Sequence, residues 1–151
     1  MDRFRGGEPV DATPGATRCR RRSYAGFMSA AVDIAALHER IAEFGERAYL
    51  VTVGDDGAPH VVSVEATVDG AHLAVRVGKR TAANLSDRAA ATLLWPPRAD
   101  GAYSLLVDVT ATAPVVAGPC ALRPDTAVLH RVAGAGGEGP TCLPVEAADS
   151  V

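Results

Sequence analysis

What is scarce in this chain of 151 residues limits what it can be. Aromatic side chains make up 5% of it, with a single tryptophan. That is too few for the stacking platform that holds single-stranded nucleic acid. Excess positive charge is missing too: the formal net charge is −3, so no global field draws in a polyanion. No nucleic-acid partner is therefore expected. No apolar run approaches the ~18–20 residues of a membrane span, and no apolar segment of signal-peptide type stands near the start. A membrane partner is not expected either. Cysteine is limited to Cys19, Cys120 and Cys142, an odd number with no CxxC pair, which suits free thiols in a reducing cytoplasm. His38, His60, His72 and His130 have no ligand spacing among themselves or with cysteine, so no metal site is expected. No Ser–His–Asp order and no pair of carboxylates suggests hydrolytic or acid–base catalysis.

What is present is ordinary globular material, 48% hydrophobic and 22% charged, enough for one domain with a modest core. Its charge is unevenly placed. Before Met28, Arg3, Arg5, Arg18, Arg20, Arg21 and Arg22 outweigh Asp2, Glu8 and Asp11, and the acidic excess lies in the rest. Residues 1–28 have no apolar period and read as a disordered arm, or as an extended start ahead of a true beginning at Met28. Residues 29–146 read as the folded domain and 147–151 as a tail.

Within the domain, Ile34, Leu37, Ile41 and Phe44 fall on one face of a helix over 29–44, with Asp33 near its start and Gly45 placed to end it. His38 falls on the polar face of that helix. Strands follow at 49–53 and 60–68. In the second, Val62, Val64, Ala66 and Val68 share one face, and Val61, Ser63, Glu65 and Thr67 share the other. Asp69-Gly70 is a hairpin turn into a third strand, 71–77. A helix over 81–88 with Thr81 near its cap comes next. A strand at 90–95 is stopped by Pro96-Pro97, and a long strand over 103–116 ends in Gly118-Pro119. Shorter strands at 120–123, 127–131 and 141–145 complete the set. Many short strands with tight turns and few helices predict a mainly β, α+β fold built on an antiparallel barrel or sandwich, not a parallel βαβ sheet.

The stretch between the third strand and the second helix holds Arg76, Gly78, Lys79, Arg80 and Thr81. Fixed cations, a hydroxyl and free backbone N–H groups at a helix start suit a phosphate monoester. A local basic cluster on an acidic domain stands out more than it would on a basic one.

The order of the pieces, YLVTVGDDGAPHVVSVEATVDG and then GKRTAANL followed by a strand, resembles the flavin-binding split β-barrel proteins, the pyridoxamine-5′-phosphate-oxidase-like family. The resemblance covers about residues 37–112, with weaker likeness over 127–131. It implies an antiparallel split β-barrel with an N-terminal helix and a short helix after the third strand. It also implies a homodimer with its cofactor at the subunit interface, FMN or the deazaflavin coenzyme F-420. By that likeness Lys79 and Arg80 would pair with the phosphate, Thr81 would add a hydroxyl or amide, and Asn84 would sit at the same end. Val61, Val62 and Ser63 would set backbone groups against the ring, with Val75 and Arg76 flanking the ring or ribityl chain. Arg76 and Arg80 would favour an anionic reduced flavin. Thr81 stands where the family often has a second cation, and the C-terminal Arg and His segment of true pyridoxamine phosphate oxidases has no counterpart here, so pyridoxamine phosphate is not the expected substrate.

The expected function is a flavin- or deazaflavin-dependent oxidoreductase for a small organic substrate. The alternative is a non-catalytic module that binds or senses a flavin or haem. His60 and Tyr103 are the candidate proton donors. Trp95 is expected to pack in the core, the alternative being stacking at the subunit interface, and Cys142 is expected as a small core residue.

Overall fold

The computed structural model describes residues 33–112, 115–132 and 140–145. Eight strands and two helices follow in the order α1 (Ile34–Phe44), β1 (Arg47–Val53), β2 (Pro59–Glu65), β3 (Thr67–Asp69), β4 (His72–Val77), α2 (Lys79–Asp87), β5 (Ala90–Trp95), β6 (Ser104–Ala111), β7 (Gly118–His130) and β8 (Cys142–Pro144). The arm 1–28 and the tail 147–151 lie outside the described residues.

All pairings are antiparallel, and the strands form one sheet in the order β2-β1-β5-β6-β7-β4-β3, with β8 beside β7. The two ends of that order are one piece of chain. β2 and β3 are separated by Ala66 alone, which is fully buried and donates its N–H to the Glu46 carbonyl at 2.8 Å. At Ala66 the chain leaves β1 as its partner and joins β4. The sheet therefore curls almost closed and remains open between β2 and β4. This is the expected split β-barrel.

Alternation decides what fills it. Ala48 and Leu50 of β1, Leu73, Val75 and Val77 of β4, Leu93 and Trp95 of β5, and Leu105, Val107 and Val109 of β6 all point inward and are buried. Leu37 and Ile41 of α1 pack onto the same core. Asp33 caps α1, its carboxylate accepting from the Ala35 N–H at 2.9 Å, and Gly45 at φ 87° ends it. Residues 29–32 of the expected helix lie outside the described residues. Trp95 is fully buried and its Nε1–H donates to the Gly45 carbonyl at 2.8 Å, so the tryptophan both fills the core and fixes the end of α1.

Several boundaries differ from the sequence reading. The expected second strand breaks at Ala66, which makes α2 follow the fourth strand. The hairpin loop is Gly70-Ala71, because Asp69 pairs with His72. β6 stops at Ala111, and residues 113–114 lie outside the described set. β7 runs unbroken through Pro124, where a register shift opposite Asp108 and Val109 absorbs the residue without an N–H. Gly118-Pro119 begins that strand, where a missing donor costs little. Cys142 is exposed, at the start of a short edge strand.

Burial pushes the Cys120 thiol above its ordinary pKa, so less of it is thiolate at any given pH. Cys120 is expected to react with an alkylating reagent roughly tenfold more slowly than Cys142, and peptide-resolved mass spectrometry of partly alkylated protein checks this.

Candidate functional site

The opening between β2 and β4 is a cleft of about 550 Å³. One bank is the outward face of β1 and β2, which presents Arg47, Ser63 and Glu65. The other is β4 with Arg76, and Thr67 and Pro119 complete it. Period-two alternation puts them there: the inward partners Val64, Val75 and Val77 are buried, so Ser63, Glu65 and Arg76 must face out. Two sequence-predicted residues, Ser63 and Arg76, thus meet in one cleft, and the buried Val75 also borders it. Val62 is turned inward and half-buried, and Val61 stands outward at 53% exposure.

β4 leads straight into α2. The helix starts at Lys79, two residues earlier than expected, and its N-cap is Gly78, which has no side chain to satisfy the first amides. The first intrahelical bond runs from the Ala82 N–H to the Gly78 carbonyl, 2.9 Å. The amides before it have no acceptor within the helix. Lys79 and Arg80 are exposed on this first turn, which carries no acidic residue. Among the described residues Arg47, Arg76, Lys79 and Arg80 all lack an ion-pair partner; the described pairs are Arg40–Glu43 and Arg123–Asp125. Lys79 and Arg80 do not line the cleft.

Two expected site residues have other employment. Thr81 is the third helical residue, not a cap, and only 2% exposed. Its side chain packs inward, which leaves its backbone amide as the group at the helix start. Asn84 is buried and donates from Nδ2 to Thr52 Oγ1 at 3.0 Å; Thr52 in turn bonds the His60 carbonyl at 3.4 Å. Arg88 donates to the Gly54 carbonyl. These bonds fasten α2 to β1 and the turn after it, so Asn84 aims the helix and does not stand at its tip. Asn84→Ala is expected to cost about 1–3 kcal/mol in urea unfolding.

Tyr103 is not in the cleft. Its hydroxyl donates to the Pro140 carbonyl at 2.9 Å, Arg131 lies 5.2 Å over its ring, and it lines a separate groove with Phe44 and Leu129. The residues that sequence reasoning missed are Arg47, Glu65, Thr67 and Pro119. Arg47 had a signal: extending the first strand two residues back places it opposite Glu65, in phase with Tyr49 and Val51. Among the described residues no group of three His, Cys, Asp or Glu side chains comes together to hold a metal, and no helix is long and apolar enough to cross a membrane.

Comparison with known proteins gives relatives in sequence and in fold. No family model matches the chain. It is 42% identical over 100 residues to two uncharacterised mycobacterial proteins, Mb0449c of Mycobacterium bovis and MT0457 of Mycobacterium tuberculosis; the match spans 56% of this chain and 70% of each of theirs. In structure it is similar to a Clostridium acetobutylicum protein related to general stress protein 26, of the pyridoxinephosphate oxidase family. The TM-score is 0.53 at 10% identity, over 72% of this chain and 91% of that one. An F420 reductase aligns with TM-score 0.47 at 17% identity, over 58% of this chain and 92% of its own.

Proposed function

We propose that this chain, which belongs to the same family as the mycobacterial proteins Mb0449c and MT0457, binds a flavin-type cofactor at the split of its barrel. On this reading it is an FMN- or deazaflavin-dependent oxidoreductase acting on a small organic substrate. The observation that carries the reading is the junction of β4 and α2. An outward Arg76 in an open cleft leads within three residues to a glycine-capped helix start flanked by Lys79 and Arg80, and among the described residues none of these cations has an acidic ion-pair partner.

The residues present fit such a group. The amides of Lys79, Arg80 and Thr81, with the positive end of the helix and two cations, suit a terminal phosphate. The cleft is in the size range of cofactor pockets, roughly 300–1,000 Å³. Val61, Val62 and Ser63 offer strand backbone for a planar ring, and Val75 and Arg76 form the facing bank. When bound, the cofactor supplies the redox chemistry; the protein contributes binding, orientation and field.

The outward face of β1 supports the homodimer reading. Tyr49 and Val53 are 45% and 38% exposed, Val61 stands across from Val51, and Tyr49 lies across from the half-buried Leu94. A contiguous apolar patch of this kind is what an interface covers, and a second copy laid on it would also roof the neighbouring cleft. Light scattering on the eluting protein is expected to give twice the 15.5 kDa chain mass.

One observation favours the non-catalytic alternative, in which the barrel stores or senses a flavin or haem. The ionisable side chains lining the cleft are Arg47, Glu65 and Arg76, with no histidine, tyrosine or cysteine among the described residues there to move a proton. The deciding experiment is expression in a host that makes both FMN and the deazaflavin, followed by the visible spectrum and mass of what co-purifies. A bound flavin or deazaflavin reduced by a hydride donor supports the enzyme. Bound cofactor that no donor reduces supports the sensor, and colourless protein that takes up neither ends the proposal.

A further inference from the structure

Arg47 and Arg76 approach the same cleft from opposite banks, one at the start of β1 and the other near the end of β4. Neither is neutralised among the described residues. Arg76 lies across from Pro119, which brings no charge. Arg47 lies across from Glu65, yet no oxygen of that carboxylate is within 4.0 Å of its guanidinium. Ser63 and Thr67 add hydroxyl groups to the same lining. Two guanidinium groups lining one concave surface, with hydroxyls in the same lining, match a planar carboxylate or a phosphate. A cleft also focuses the field of such charges.

We propose that Arg47 and Arg76 form a second anion seat, separate from the start of α2, and that it takes the carboxylate or phosphate of the substrate. The substrate class is thereby an organic anion. Glu65 trims the seat from within: its charge opposes the bound anion and keeps the affinity modest. Assigning the seat to the substrate rests on the cofactor reading above, whereas the seat itself does not.

The test uses inorganic phosphate as probe and follows backbone amide and arginine side-chain NMR signals of the full chain. Wild-type protein is expected to show two independent sets of saturable shifts, one at residues 79–81 and one at Ser63, Arg47 and Arg76. Arg47→Gln should weaken the second set about tenfold and leave the first within twofold. Glu65→Gln should tighten the second set severalfold, an effect of opposite sign that general loss of fold cannot imitate. Saturation with FMN should remove the first set; the ring then covers Ser63, and the phosphate-dependent shifts of the Arg47 and Arg76 side chains should persist. A single set of shifts, an Arg47→Gln variant that binds as wild type, or FMN displacing phosphate from both places would overturn the proposal. Failure of the flavin to bind, with both phosphate sets intact, would count against the cofactor reading and overturn the assignment of the seat to a substrate.

Discussion

Trp95→Ala is expected to destabilise the domain by about 3–5 kcal/mol, a large part of the roughly 5–15 kcal/mol that holds a typical domain together. Trp95 is the largest of the fully buried side chains, so its removal leaves the largest void. The loss is more than volume. The indole N–H is the partner of the Gly45 carbonyl, at the point where α1 ends and the chain turns into β1. Trp95→Phe separates the two contributions. It keeps most of the bulk and removes the donor, and should cost about 1–3 kcal/mol through the orphaned carbonyl. Urea unfolding followed by circular dichroism measures both. Equal costs for the two variants would mean that packing matters little at this position and the hydrogen bond nearly everything.

Arg80→Glu should weaken FMN binding by about a hundredfold while leaving stability unchanged. Arg80 is exposed and has no ion-pair partner among the described residues, so the fold loses nothing with it. The substitution removes one charge-assisted contact to the phosphate and puts a negative charge beside it at the helix start, and each change is worth about tenfold in affinity. Arg80→Ala should lose only about tenfold. Riboflavin, which has the ring without the phosphate, should bind all three proteins alike. Quenching of flavin fluorescence in a titration reads the difference, and added salt should narrow it.

How much of this was legible in the sequence depends on whether the cause is local. The spans of β4 and β5 and the Asp33 and Gly45 caps are written within a few residues, and those elements were read nearly as they stand. The break at Ala66 was not legible. Nothing in VEATV marks the point where one strand exchanges β1 for β4, because the cause is the closure of the whole sheet. β7 was read as two strands because Pro124 looks like a stop; only its pairing with β6 shows that a register shift accommodates it.

The site divides the same way. The cations after β4 could be found from local spacing, and so could the outward phase of Ser63 and Arg76. The outward phase of Arg47 follows from extending β1 two residues back, but its place in the cleft does not, since that depends on β1 lying beside β2. Asn84 was placed near the phosphate end by the family likeness, and its bond to Thr52 was not legible because that partner is 32 residues away in sequence. That bond belongs to the packing of α2 on β1, and it explains why an asparagine inside a helix is buried.

The central claim, that the start of α2 and the adjoining cleft hold the phosphate and ring of a flavin-type cofactor, is tested most directly by a crystal structure of the protein grown with FMN. The phosphate is expected within hydrogen-bonding distance of the amides of residues 79–81 and the side chain of Arg80, with the ring against residues 61–63. Flavin bound at any other surface, or that helix start left to solvent at saturating FMN, would contradict it.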